Sequence, residues 1–168
     1  MANLKDLFER SSTSGLTRWW FNRILQWMIP FNRPHGIVVV ETGEWHIRTR
    51  LPYRRNNFNH IKGLHACGLA TLSEFTTGLL LITKLDPGRY RLILQRLEMD
   101  YLYQGRMDAY ATFSMTPAYF EQEVLQALTQ NEKITLTCTV TIEDEQKHHL
   151  TTGKVIWQIK DWSKVKTK

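Results

Sequence analysis

The chain has 168 residues, enough for one domain with a substantial core. With 42% apolar and 23% charged residues it is not a disordered chain as a whole. The net charge of +6 favours anionic partners such as phosphate-bearing cofactors, nucleic acid or membrane surfaces, without choosing among them.

In chain order, residues 1–15 are polar and rich in Ser and Thr and are expected to be flexible. A helix is predicted over 16–30, from about Leu16 or Thr17 to Ile29, where Pro30 stops it. Its stretch from Trp19 to Ile29 holds three tryptophans but is too short to span a bilayer. It reads as cover for another element of its own protein or oligomer, with membrane-surface contact as the second reading. Polar and charged residues interrupt every early apolar run, so no secretory or transmembrane segment is expected and the location reads as cytoplasmic.

Ile37 to Val40 is a short β-branched run. Trp45 to Leu51 alternates, with Trp45, Ile47, Thr49 and Leu51 on one face, and Gly43 between the two runs indicates a hairpin. A polar loop, residues 52–63, leads into a long apolar helix from Leu64 to Thr83, after which Asp86-Pro87-Gly88 makes a turn. Four strand-like runs follow: Arg89 to Tyr101, Arg106 to Met115, Ile134 to Glu143 and Thr152 to Ile159. The first loses phase near Gln95, which predicts a bulge. Residues 117–130 read as a short helix, and residues 161–168 as a basic tail. Runs of strands around one apolar helix imply an α+β layer architecture, and the uncovered sheet edges imply a dimer.

Cys67 and Cys138 lack any CxxC or Cys/His ligand spacing, so no metal site is expected, and both read as buried free thiols in a reducing compartment. Nucleic-acid binding would rest on charge alone, because the aromatics fall in core-like patterns rather than beside the basic clusters.

The chemistry concentrates on the apolar helix. Its interior is crowded with Ala, Gly, Ser, Thr and Cys, which implies close packing on all sides, and Glu74 is its only carboxylate. A buried carboxylate must be bonded, protonated or functional. His65 stands at the helix start, so the N–H of Ala66 falls among the unpaired donors of the first turn, suited to a developing oxyanion. Glu74 lies nine residues after His65, hence on the opposite side of the axis and roughly 13 Å along it. The two can cooperate only across a subunit interface. The bland alternatives are a Glu74 paired with Arg91 or Arg96, a His65 that caps the helix, and an Asn59 that is an ordinary turn residue.

The stretch from Asn59 to Glu74 reads NHIxxxHAxxLxxLxE. It resembles the hotdog-fold acyl thioesterases of the phenylacetic-acid-degradation type, whose motif is Asn or Gln, five residues, His-Gly-Gly, six residues, then Asp or Glu. Asn59, His65 and Glu74 fall on the matching positions without a gap. The wording is closer still to an uncharacterised thioesterase branch of that superfamily, and the resemblance covers about 36–159.

The resemblance implies a hotdog fold, a long central helix wrapped by an antiparallel β-sheet, over residues 36–160 of a single domain with an extra N-terminal helix. It implies hydrolysis of an acyl thioester of coenzyme A or acyl carrier protein in a homodimer or a tetramer of dimers, with sites at the subunit interface. Glu74 would be general base or nucleophile, the Ala66 N–H the oxyanion donor, and Asn59 and His65 positioning groups. No metal and no cofactor beyond substrate coenzyme A would be needed; Arg54, Arg55, Lys62 and Arg89 are candidate cations for its phosphates. The chain departs from the pattern in carrying Ala66-Cys67 for the glycine pair, and Leu92, Ile93 and Leu94 where some relatives carry a hydroxyl. Those departures support a second reading, a non-catalytic hotdog module for acyl binding or interaction. The hydratases of the same fold carry an Asp five residues before the helix-leading His, which this chain lacks.

Overall fold

The computed structural model describes residues 4–164; the rest of the predicted basic tail, residues 165–168, lies outside the described residues, as do residues 1–3. Two helices open the chain, α1 (Leu4–Ser11) and α2 (Gly15–Met28). α1 corrects the expectation of flexibility over 4–11. A single aromatic in a polar run gave little sign of a core position, yet Phe8 is fully buried and meets Phe21 of α2 edge to face, 6.1 Å between ring centroids. Ser14 caps α2 by accepting the N–H of Thr17, and Pro30 begins a 3-10 turn, Pro30–His35. That turn closes on Gly36 at φ 65°, where a Cβ would stand 2.5 Å from the Arg54 guanidinium.

β1 (Val38–Gly43) and β2 (His46–Leu51) form the predicted hairpin, and Ile47, Thr49 and Leu51 turn inward as the alternation requires. Then come α3 (Ala66–Lys84), β3 (Tyr90–Tyr101) and β4 (Ala109–Ser114). The helical stretch 117–130 is α4 (Pro117–Phe120), a π-helical segment (Glu121–Gln126) and α5 (Ala127–Gln130). β5 (Lys133–Asp144) and β6 (His149–Asp161) complete one antiparallel sheet of order β1-β2-β4-β5-β6-β3. The register of β3 against β6 slips between Leu94 and Arg96, the bulge predicted near Gln95. The sheet wraps α3, which packs on β2 through β6.

The small residues of α3 permit this wrapping. At Gly78 a Cβ would come 2.7 Å from the Trp157 ring, so only glycine lets the helix lie against that indole. Trp157 also donates its indole N–H to Thr77 Oγ1 at 3.0 Å inside the core. By length and composition α3 could cross a bilayer, but 67% of the stretch is buried within the protein itself.

The two sheet edges are treated differently. At β1, α2 docks alongside, and Asn22 donates to Val39 C=O (2.9 Å) and accepts from Val39 N–H (2.7 Å), as a neighbouring strand residue would. Replacing Asn22 by Ala leaves both backbone groups without these partners. It is expected to cost about 1–3 kcal/mol, read as a lower denaturant midpoint with unchanged slope. The β3 edge has no such cover among the described residues, and Ile93 and Leu94 are exposed there.

Candidate active site

The loop of residues 52–63 and the start of α3 are held by a lattice of short bonds. His65 N–H donates to Asn57 C=O and Leu64 N–H to Gly105 C=O, both at 2.8 Å. Asn57 is buried and donates to the carbonyls of His35 and Pro52, each at 2.8 Å. Asn59 spends its side chain on its own loop: Oδ1 accepts from Ile61 N–H (3.0 Å) and Gly63 N–H (2.9 Å), and Nδ2 donates to Leu64 C=O (3.4 Å). It therefore shapes the approach to His65 from behind, as a turn-forming asparagine does.

His65 is the N-cap of α3. Its Nδ1 accepts the N–H of Cys67 at 3.1 Å, and the ring is otherwise exposed. Ala66 follows, and its N–H has no hydrogen-bond partner among the described residues. This donor sits at the positive end of the helix dipole. Ala66 lines a cleft of about 320 Å³ with Asn59, Leu69, Tyr101 and Gln104. Tyr101 of β3 donates its hydroxyl to Ala66 C=O at 3.0 Å, and Tyr103, on the cleft wall, stacks on His148 with centroids 5.0 Å apart. Gln104 Nε2 is enclosed and without a partner in the same wall. Tyr101 and Gln104 were not singled out in the sequence. They reach the start of α3 only because β3 returns along the helix, and the only local sign is the strand-end run Tyr101-Leu102-Tyr103-Gln104.

His65 itself opens on a second cleft of about 290 Å³, lined by Phe31, His35, Phe58 and Cys67. Cys67 is exposed there, which corrects its reading as a buried thiol. Cys138 is buried as expected, and burial pushes its thiol up to about 12. The expected close packing of α3 on all sides holds only from Phe75 to Leu81, and Ile82 beyond it is exposed. Along its N-terminal half a strip of Cys67, Ala70, Thr71 and Glu74 faces outward.

Glu74 lines neither cleft. Its carboxylate has no hydrogen bond or ion pair among the described residues. The two arginines that could have paired with it are otherwise engaged: Arg96 with Glu98 at 2.7 Å, and Arg91 with Pro87 C=O and the Trp162 ring. Burial without compensation raises the Glu74 pKa above the ordinary carboxylate value. Ala66 and Glu74 are eight residues apart on one straight helix, hence roughly 12 Å along it. One chain thus carries an unpaired backbone donor and an unpaired carboxylate that are too far apart to act on one bond together. Of the cations considered for phosphates, Arg89 is taken by Asp161 (3.1 Å) beyond the far end of α3 and Arg54 by Pro34 C=O, while Lys62 and Arg55 are exposed beside the loop. No group of three or more His, Cys, Asp and Glu is placed to hold a metal ion among the described residues.

A long helix wrapped by an antiparallel sheet in this strand order defines a hotdog-fold protein, and solved structures superpose on most of the chain. A Pseudomonas aeruginosa protein of unknown function, described as a probable thioesterase, matches with TM-score 0.76 at 21% identity, covering 83% of this chain and 93% of its own. A thioesterase from Haemophilus influenzae matches with TM-score 0.66 at 13% identity (83% and 90% covered), and a Chlorobaculum tepidum protein of unknown function with 0.72 at 9% (91% and 99%). No curated protein matches the chain. Within this fold the chain belongs to the family described as domain of unknown function DUF4442, whose model matches residues 17–159.

Proposed function

We propose that this protein hydrolyses an acyl thioester, carried by coenzyme A or acyl carrier protein, in sites shared between two copies of the chain. The observation that carries the reading is Glu74, a desolvated carboxylate with no partner, on the outward strip of a helix whose first N–H is equally unpaired. Glu74 is half-buried, and unpaired carboxylates with a raised pKa are concentrated at functional sites. In a site joining one copy's helix start to the other's Glu74, that carboxylate takes a proton from water as the hydroxyl adds to the thioester carbonyl, or itself attacks the carbonyl. The Ala66 N–H holds the oxyanion, with His65 and the Asn59 loop fixing the donor. On the first route, collapse of the adduct expels the thiolate, which recovers the proton from Glu74; on the second, loss of the thiolate leaves an anhydride on Glu74, which water hydrolyses to the free acid and the regenerated carboxylate, with a proton of that water passing to the thiolate. No metal or cofactor beyond the substrate's own coenzyme A takes part, and exposed Lys62 and Arg55 are the cations this reading offers to its phosphates. The free thiols of Cys67 and Cys138 fit a reducing, cytoplasmic setting.

The uncovered β3 edge supplies the route to the pair, because a second β3 can continue the sheet. Leu94→Glu in this edge is expected to halve the sedimenting mass to that of the 19.8 kDa chain and to remove turnover with it. The composite site has its own test. Separately inactive His65→Ala and Glu74→Gln chains, mixed and re-annealed, should regain thiol release from acyl-coenzyme A, because each hybrid pair holds one intact site. No recovery in verified hybrids would refute the shared site.

A non-catalytic acyl-binding module is the second reading, favoured by the Asn59 amide, which is wholly engaged in its own loop. It requires acyl-coenzyme A to raise the melting temperature without release of free thiol.

A further inference from the structure

We propose that the outward face of α2 is a docking surface for an anionic lipid bilayer. The helix is apolar on both sides. Its inner side is spent on the fold, with Phe21 and Leu25 buried. At 100° per residue, Leu16, Trp19, Trp20, Arg23 and Trp27 fall within an arc of about 100° on the other side. That side is bare: Trp19 is 53% exposed, Trp20 55%, Trp27 83%, and Phe31 just beyond the helix 67%. A surface helix normally turns charge outward here, so this face is built to be covered.

Charge identifies the cover. From residue 10 to residue 40 the sequence holds Arg10, Arg18, Arg23 and Arg33 and not one Asp or Glu. The side chains of Arg23 and Arg33 are exposed and make no ion pair among the described residues, and exposed Arg55 lies in the short turn packed against Pro30–His35. Indoles with long cationic side chains and no acids are the composition of a helix lying in the lipid headgroup region, where Trp sits at the interface and Arg reaches phosphate. A second copy of this face fits poorly, because a two-fold contact would bring Arg23 against its own equivalent with no carboxylate to separate them. The 14-residue helix is about 21 Å long, so it lies on the bilayer rather than across it. Phe31, exposed in the turn that follows α2, lines the cleft of His65 and Cys67, so docking of α2 would bring the start of α3 toward the membrane surface. The inference rests on α2 and its surroundings and does not depend on the hydrolytic reading.

Flotation with vesicles tests it without any activity assay. The full chain is expected to float with vesicles of phosphatidylcholine mixed with phosphatidylglycerol, weakly with phosphatidylcholine alone, and less as salt rises. Trp20→Ser with Trp27→Ser, and separately Arg23→Glu with Arg33→Glu, should each lower the bound fraction by about tenfold or more. All four side chains are exposed, so circular dichroism and melting temperature should stay unchanged; Trp27→Ser alone serves if a double variant is perturbed. Three results would overturn the proposal: no flotation of the wild type, equal flotation on both vesicle types, or variants that float as well as the wild type. A concentration-dependent mass lost in the Trp variants, without flotation, would assign the face to protein contact and overturn it equally.

Discussion

Glu74→Gln is expected to lower kcat/KM for acyl-thioester hydrolysis by about 10²–10⁴-fold, with circular dichroism and oligomeric mass unchanged. Gln keeps the shape and loses the charge, so the comparison isolates the carboxylate. The direction of its pKa adds two checks. Burial raises the folded-state pKa above the unfolded value. A base must be ionised, so the acid limb of the wild-type profile should fall at a higher pH than an ordinary carboxylate gives. For stability the sign is opposite to that of a salt-bridged acid. The folded state holds the proton more tightly, so Glu74 costs nothing below the unfolded pKa and destabilises progressively as pH rises through the folded one. Glu74→Gln should therefore melt at or above the wild-type temperature at neutral pH while its activity is gone. Undiminished turnover in this variant, from free thiol measured over a panel of acyl-coenzyme A chain lengths, would remove the hydrolytic assignment.

The largest stability effect is expected at Trp157. Truncation to Ala removes a buried indole pressed on Gly78 and should cost about 3–5 kcal/mol, read from the denaturant midpoint. Trp157→Phe keeps most of the volume but loses the bond to Thr77, and should cost less than the Ala change, by several-fold. Gly78→Ala alone forces a Cβ against the ring and should cost about 1–3 kcal/mol. In the double variant with Trp157→Ala that clash has no partner, so the two costs should fall short of additivity; strict additivity would show that the helix does not rest on the indole. The consequence reaches the site. Thr77, which receives the indole N–H, shares its own hydroxyl proton between Ser73 C=O (3.1 Å) and Glu74 C=O (3.2 Å), so the ring anchors the turn of α3 that carries Glu74.

What the sequence reveals follows the range of the forces involved. Alternation names the inward residues of β2 because a strand's two faces see different media, and the phase slip at Gln95 is legible for the same reason. Glu74 is conspicuous because a lone acid in an apolar helix is costly at any tertiary placement. α1 is missed because one buried Phe8 in a polar stretch has no periodicity to announce it. Tyr101, Gln104 and Asn57 are missed because their partners lie far along the chain or are backbone atoms with no side-chain signature. The exposure of Cys67 and its neighbours is hidden too, since composition cannot tell a helix packed on all sides from one with a strip left exposed.

The unequal sheet edges bear on how far assembly can go. A molecule with two open strand edges can add copies at both ends and grow into a fibre without limit. Here the Asn22 amide occupies the outward backbone groups of Val39, so one end of the sheet is already terminated within the chain. Pairing through β3 would then stop at two copies, with a sealed margin at each extremity. By the same reasoning, loss of the Asn22 clamp would do more than loosen a helix: it would bare the backbone groups of Val39 and leave this chain with an open strand edge at either end of its sheet.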